Sequence, residues 1–198
     1  MMKIQSKELK REQLLTEGVS LLMQQGYHGT GLQEILDTVK IPKGSFYNYF
    51  GSKEQFGAEV IAHYIQPFIE QLQNHLQNPQ QDALQGLQNY FNELISAVAD
   101  SNFKGGCLLG NLMGEIGDTS EVCRLALKTA VERYRDLLQS GLNQAQQQGT
   151  VRTDKSAQEM ADLLTDAWQG ALLRMKIDQS VSPLRRCCDD LLGDYFKA

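Results

Sequence analysis

The residues best suited to nucleophilic or metal chemistry in this 198-residue chain are four cysteines and three histidines. They are Cys107, Cys123, Cys187 and Cys188, together with His28, His63 and His75. Their spacing matches no metal-ligand pattern, and no histidine is adjacent to Cys107 in sequence to serve as its base. The chain also lacks a Gly-rich phosphate loop, a Ser/His/Asp set and a paired-carboxylate motif. The sequence therefore predicts no enzyme, no metal site and no cofactor.

Cys107 has the sequence environment that most favours a reactive thiol. It follows Lys104 and two glycines, at the start of a helix predicted over residues 107–115. A helix N-terminus and a nearby lysine both lower the pKa of a thiol and favour its nucleophilic thiolate. Two hypotheses stay open: Cys107 is a reactive sensor, or it is a small residue that only packs. Cys187 and Cys188 are neighbours in a helix, where a disulfide between them would strain the backbone, so neither is a sensor candidate.

The apolar periodicity of the whole chain is helical. No segment alternates apolar and polar residues over the length of a strand, and none approaches the ~20 apolar residues of a membrane span. The charged N-terminal stretch lacks the apolar core of a secretory signal, which predicts a cytoplasmic location without a membrane partner. Helices are predicted over roughly residues 6–25, 31–39, 43–50, 52–76, 83–100, 107–115, 119–148, 156–177 and 182–195.

This pattern predicts an all-α fold with an N-terminal three-helix helix-turn-helix domain and a C-terminal helical ligand-binding and dimerisation domain. The expected boundaries are residues 1–52 and 53–198, linked by the helix over 52–76. Capping boxes are expected at Thr30 with Gln33, Ser52 with Gln55 and Asp118 with Glu121. Pro67 lies within the linking helix and predicts a kink there.

The segment from Thr30 to Lys53 carries side chains suited to contacting DNA. Phe46 and Phe50 share a face and should pack inward, which leaves Lys43, Tyr47 and Asn48 pointing outward. Gly44 allows a close backbone approach, and the amides near Thr30 form a helix N-terminus suited to a phosphate. Hydroxyls and an ammonium for further phosphates come from Ser45, Tyr47, Tyr49 and Lys53. Base edges suit Lys43, Ser45 and Asn48, with Asn48 expected on adenine.

The charge balance does not exclude a nucleic-acid partner. The net charge is −5 at pH 7, but the first 55 residues carry seven basic and six acidic side chains. The acidic excess lies in the rest of the chain. Affinity for DNA depends on the groups that lie near the phosphates rather than on the total charge.

The combination of a tight turn, Lys43-Gly44-Ser45, Phe46-Tyr47-Asn48-Tyr49-Phe50 and Ser52-Lys53-Glu54 resembles the DNA-binding domain of the TetR family of repressors. The resemblance covers about residues 5–60, and beyond them only helical layout and length are similar. It implies DNA contacts at Thr30, Lys43, Gly44, Ser45, Tyr47, Tyr49 and Lys53. The Gly-Cys-Leu stretch at Cys107, together with Lys176, also resembles the NemR-like subfamily of electrophile-sensing repressors. That likeness implies that Cys107 reacts with an electrophile or oxidant, with Lys176 as its partner.

A helix-turn-helix protein of this kind binds operator double-stranded DNA as a homodimer, because one short helix contacts too few bases. Two apolar stripes are candidates for the interface, although both also suit an internal core. They are Leu127, Val131, Tyr134, Leu138 and Leu142, and Met160, Leu163, Leu164, Ala167, Trp168 and Leu172. An unknown small-molecule effector would occupy an apolar pocket. Its candidate lining is Tyr64, Phe68, Phe91, Cys107, Met113, Trp168 and Met175.

The sequence thus predicts a transcriptional repressor that an effector releases from its operator. The first alternative is a thiol-based repressor that acts through Cys107. The second is a helical protein-interaction module, which would have no reason to expose Tyr47, Tyr49 and Lys53 after a tight turn.

Overall fold

The structure, a computed structural model, describes residues 2–103 and 106–198, with side chains from residue 7 onward. Lys104 and Gly105, which the sequence places beside Cys107, lie outside the described residues. The helices are α1 (Met2–Gly29), α2 (Leu32–Val39), α3 (Lys43–Phe50), α4 (Lys53–Leu76), α5 (Ala83–Asp100), α6 (Leu108–Ile116), α7 (Glu121–Gln147), α8 (Ala157–Asp178) and α9 (Ser182–Asp190). A π-helical turn, Leu191–Tyr195, follows α9.

The all-α prediction is confirmed, since the described part of the chain contains no strand beyond one isolated bridge between Val151 and Lys197. No described helix is both long enough and apolar enough to cross a membrane. Helices α3 and α5 have the bounds that the sequence predicts. Helix α1 continues past its predicted end, with a non-helical residue, Gly26, inside it at φ 74°.

Two of the three predicted capping boxes are wrong. The N-cap of α2 is Gly31, without a side-chain bond, and Thr30 instead donates to the carbonyl of Gly26 at 2.6 Å. Before α7, the hydroxyl of Ser120 accepts from the amide of Cys123 at 3.3 Å, in the role expected of Asp118. The cap at Ser52 is confirmed, because its hydroxyl accepts from the amide of Gln55 at 3.0 Å. The kink expected at Pro67 stays a prediction.

The chain forms two compact units, which differ from the predicted division at residue 52. The first comprises residues 1–66 and 108–130, and the second comprises residues 67–107 and 131–198. The first unit therefore combines α1 to α3 with α6, the N-terminal part of α4 and the start of α7. The chain passes from one unit to the other inside α4, between Cys107 and Leu108, and inside α7.

The core of the second unit is built from one face each of α5, α7 and α8, closed by α9 and the π-helical turn. Tyr90, Phe91, Leu138, Leu164 and Phe196 are completely buried in it. Helix α8 begins with a full capping box, in which Ser156 and Glu159 satisfy each other's backbone amides. These contacts order a long helix whose opposite face is left exposed.

Candidate nucleic-acid interface and thiol site

Helix α3 presents one polar face to solvent. The exposed residues of this face share one side of the helix: they are Lys43, Gly44, Tyr47 and Asn48. The exposed fraction of Tyr47 is 44%. A Cβ added at Gly44 would meet nothing within 4 Å, so the glycine is not required by the packing of this chain. This face has the residue types that the sequence assigned to base and phosphate contacts.

An aromatic cluster fixes the opposite face of α3. Phe46 and Phe50 are buried, with ring centroids 5.2 Å apart. Both rings contact Phe56 of α4, at 5.2 Å and 4.9 Å. Helices α2 and α3 are joined by a short turn through Lys40, which has the left-handed conformation. The predicted inward packing of Phe46 and Phe50 is confirmed.

Tyr49 lies at the edge of the exposed face beside a cation that the sequence alone did not indicate. Lys7 of α1 places its Nζ 5.6 Å from the centroid of the Tyr49 ring. Ser45 and Tyr49 are half-buried and Lys7 is exposed. No sequence pattern links Lys7 to Tyr49, because the two are 42 positions apart and meet only through the packing of α1 on α3.

Three side chains from different elements hold the backbone at the C-terminal end of α1, around its non-helical residue Gly26. The carboxylate of Glu115 in α6 accepts from the amides of Tyr27 at 2.8 Å and His28 at 2.6 Å. Lys53 of α4 donates to the carbonyl of Tyr27 at 2.8 Å and lies over its ring at 4.5 Å. The hydroxyl of Thr30 supplies a fourth bond, to the carbonyl of Gly26. We use the term α1–α2 clamp for residues 26–30 together with the side chains of Glu115 and Lys53 that bond to them.

Two predicted DNA contacts therefore have partners inside the chain. The Thr30 side chain is completely buried, and the Lys53 ammonium is half-buried in the α1–α2 clamp. Burial lowers the pKa of Lys53, and the nearby charge of Glu115 opposes that shift. If either side chain bound a phosphate, it would have to give up its bond within the chain. The backbone amides near Thr30 are therefore better candidates than these two side chains for donating to a phosphate.

Cys107 is half-buried and lies directly before α6, as the sequence predicts. The side-chain amide of Gln169 donates to its sulfur at 3.4 Å. Lys176 also reaches this segment, since a Cβ at Gly106 would lie 2.6 Å from its Cε and 3.4 Å from its Nζ. Gly106 has φ 71°, so a side chain there would be strained as well as obstructed. The thiol thus lies among polar groups of α8.

The other three thiols have environments that favour the protonated form. Burial raises the pKa of Cys187 to about 11 and that of Cys188 to about 12. Burial also raises the pKa of Cys123, which is completely enclosed. Among the described residues, no group of three His, Cys, Asp or Glu side chains is arranged to hold a metal ion.

Four of the predicted effector residues meet in the core of the second unit. Phe91 and Trp168 contact edge to face with centroids 4.7 Å apart, Met175 is completely buried, and Cys107 packs against the same cluster. Half-buried Phe68 belongs to this unit too. Half-buried Tyr64 and exposed Met113 belong to the first unit. Their role in effector binding stays a prediction.

The two stripes predicted as a dimer interface are mostly internal. Leu138, Leu142, Met160, Leu164 and Leu172 are buried within a single chain, which supports the core alternative. Leu163 is the member of the α8 stripe that is exposed, at 43%. It lies on a different α8 face with Gly170, Leu173 and Ile177, which we call the α8 outer face. The sequence did not separate these faces, because α8 is apolar over much of its circumference.

A short helix with an exposed polar face at the end of a three-helix N-terminal segment, in a chain that also builds a second helical core, is typical of a one-component DNA-binding regulator. Residues 14–60 match the bacterial regulatory proteins of the tetR family, and residues 83–191 match the tetracyclin repressor-like C-terminal domain. The chain belongs to the TetR family. The predictions of a DNA-binding transcriptional repressor, and of a protein that is not an enzyme, are confirmed.

Relatives match over nearly the whole chain. The HTH-type transcriptional repressor DhaR of Mycobacterium sp. (strain GP1) is 35% identical over 95% of this chain and 91% of its own length. The HTH-type transcriptional repressor NemR of Escherichia coli (strain K12) is 32% identical, over 88% and 87%. The crystal structure of reduced E. coli NemR superposes with a TM-score of 0.87 at 30% identity, over 96% of this chain and 97% of that one.

Proposed function

We propose that a homodimer of this chain holds two α3 helices in successive major grooves of its operator, about 34 Å apart. The observation that carries this proposal is the exposed polar face of α3, opposite a buried aromatic cluster. TetR-family regulators bind operator DNA and usually act as dimers, in accord with the predicted partners. The protein would work in the cytoplasm, where a bacterial operator lies.

The DNA contacts divide into two groups. Lys43, Ser45 and Asn48 read base edges, with Asn48 on adenine. Phosphates are bound by Tyr47, by Tyr49 with its neighbour Lys7, by the backbone at Gly44 and by the amides near Thr30. Lys53 contributes to this phosphate surface chiefly by holding the α1–α2 clamp in place.

Gly44→Ala separates folding from DNA binding. Its Cβ meets no atom of the chain, and alanine is a better helix former than glycine by about 0.5–1 kcal/mol. The melting temperature should therefore stay equal or rise. Operator affinity should fall at least about tenfold, since the methyl group would occupy the space of an approaching phosphate or base. Thermal denaturation and fluorescence anisotropy measure the two effects.

Gly114→Ala is the matched control, because Gly114 is also helical, exposed and open at its Cβ position but lies in α6. It should retain full operator affinity. Unchanged affinity in Gly44→Ala would mean that the backbone of α3 does not approach the DNA closely.

The effector acts on the second unit in one of two ways. A reversible small molecule would bind among Phe91, Trp168, Met175 and Cys107, and a reactive one would modify Cys107. The second mode is favoured by one observation: the half-buried thiol of Cys107 is held by Gln169 near Lys176.

The chain itself connects Cys107 to the DNA-binding head. Cys107 is the last residue of the second unit, and Leu108 begins α6 of the first. Near the other end of α6, Glu115 holds the amides of the α1–α2 clamp. A change at Cys107 that shifts α6 would thus favour a dimer whose α3 helices have a different spacing, which loses one half-site.

N-ethylmaleimide tests the reactive mode. Wild-type protein bound to the DNA upstream of its own gene should lose affinity on treatment by about 5–150-fold, the usual range of allosteric coupling. Cys107→Ser should bind equally well and resist treatment. A Cys187→Ser/Cys188→Ser double variant is the control and should respond like wild type. If Cys107→Ser and wild type respond alike while both bind DNA, Cys107 only packs and the effector is a reversible ligand.

A further inference from the structure

Tyr90 of α5 carries a buried hydroxyl that makes no hydrogen bond of good geometry among the described residues. The side chain is completely buried, and its Oη has no donor or acceptor in bonding geometry among the described residues. Buried hydroxyls nearly always have a partner, because water no longer supplies one. A hydroxyl kept in this condition can bond to an incoming group without breaking a bond within the protein.

The surroundings of Tyr90 combine an apolar wall with the thiol of Cys107. Its ring contacts Phe91 at 5.2 Å between centroids and Tyr134 of α7 at 6.3 Å, and Phe91 in turn contacts Trp168. Burial raises the pKa of Tyr90 above its ordinary value, the neighbouring Tyr134 hydroxyl opposes that shift, and negative charge on Cys107 adds to it. Burial raises the pKa of Tyr134 as well, with contributions from Tyr90 and Cys107. Both phenols therefore stay protonated beside the thiol.

We propose that the Tyr90 hydroxyl binds the carbonyl oxygen of a small α,β-unsaturated carbonyl compound while Cys107 adds to its β-carbon. This inference rests on the reactive mode of the proposed function and identifies the group that selects the electrophile. Tyr90 would donate to the carbonyl oxygen, and Gln169 would hold the sulfur in position from α8. The aromatic wall would enclose the short carbon chain.

The addition balances without any further reactant. The thiol loses its proton to solvent water, and the sulfur electron pair forms a C–S bond to the β-carbon. The electrons of the C=C bond move to the carbonyl oxygen, where the Tyr90 O–H stabilises the enolate. A proton then returns to the α-carbon, so that the thiol and the alkene become one thioether and nothing is oxidised or reduced.

The rate of alkylation of Cys107 tests this role. Methyl vinyl ketone carries the carbonyl, whereas 1-iodopropane alkylates a thiol without one, and mass spectrometry of the Cys107 peptide reports each rate. Tyr90→Phe should slow the reaction with methyl vinyl ketone at least about tenfold, because one oriented oxyanion donor is lost. The rate with 1-iodopropane should stay within about twofold, because displacement of iodide develops no charge on a carbonyl oxygen.

Two controls complete the test. Tyr90→Phe keeps the ring and removes a hydroxyl without a protein partner, so its melting temperature should not fall. Tyr134→Phe removes the neighbouring hydroxyl from the same cluster. It should slow the reaction of Cys107 with methyl vinyl ketone less than Tyr90→Phe does. Equal rates in wild type and Tyr90→Phe, or equal slowing by the two variants, would overturn the assignment to Tyr90.

The outcome also separates this inference from the proposed function. If Cys107 of the wild type reacts with neither compound, the reactive mode itself fails. If it reacts with both and Tyr90→Phe changes neither rate, the thiol sensor stands and only the role of Tyr90 is rejected.

Discussion

Replacing Leu173 and Ile177 with arginine is expected to convert the proposed dimer into a folded monomer with little affinity for a full operator. Leu163, Leu173 and Ile177 of the α8 outer face are exposed at 43%, 52% and 80%. Gly170 lies between them with open space at its Cβ position, which lets another backbone approach. Three large aliphatic side chains on one helix face form the kind of exposed patch that marks an interface.

The expected loss of affinity is large because the proposed dimer would bind two half-sites at once. Linking two binding events increases the overall affinity by about 10²–10⁴-fold without any new contact. Leu173→Arg/Ile177→Arg should lose most of that factor on a full operator and almost nothing on an isolated half-site. Anisotropy with the two DNA fragments, and analytical ultracentrifugation of the free protein, measure affinity and mass.

A surface control separates this effect from simple loss of an exposed leucine. Leu125 of α7 is exposed at 49% but lies outside the α8 outer face, so Leu125→Arg should remain dimeric. Because the replaced side chains make few contacts within the chain, the monomeric variant should keep its helical content. A variant that stays dimeric would show that the subunits meet through another surface, without affecting the assignment of α3.

Local patterns in the sequence were sufficient to predict most helices. The bounds of α3 follow from Pro42 and Gly51, which flank it, and those of α5 from its apolar stripe. The inward direction of Phe46 and Phe50 follows from their spacing of four. Each of these features depends on residues within a few positions of one another.

The errors come from contacts that no local pattern records. Thr30 fits a capping box in sequence, but the kink at Gly26 offers its hydroxyl a carbonyl instead. Glu115 lies 88 positions from Tyr27, and its role in the clamp is visible only once α6 packs on α1. Tyr90 likewise gave no signal, since a tyrosine in a helical stripe does not reveal whether its hydroxyl has a partner.

Removing the carboxylate of Glu115 is expected to weaken operator binding without touching any DNA contact. Gly26 interrupts the helical backbone of α1, so the amides of Tyr27 and His28 need acceptors from elsewhere. Glu115 supplies both, at 2.8 Å and 2.6 Å. Hydrogen bonds to a charged group contribute about 1.5–3 kcal/mol when well enclosed, and a half-buried carboxylate contributes less.

Glu115→Ala should therefore destabilise the first unit by about 2 kcal/mol, the size of a strong helix cap. Operator affinity should fall about tenfold or more, since α2 and α3 follow directly from the loosened segment. Glu115→Gln keeps the shape and one acceptor oxygen, but its NH₂ group would face an amide donor, so its effect should be intermediate. Chemical denaturation and anisotropy on the same operator fragment provide both numbers.

Glu121→Ala is the matched control, because Glu121 is also an acidic residue of the first unit but pairs on the surface with Arg124 at 2.6 Å. Its removal should change stability by less than about 1 kcal/mol and leave DNA binding intact. If Glu115→Ala lost stability but kept full operator affinity, the clamp would support the fold without orienting α3. A signal from Cys107 would then have to reach α3 without Glu115. If Glu115→Ala lost both stability and operator affinity, the result would support Glu115 as part of the connection between α6 and α3.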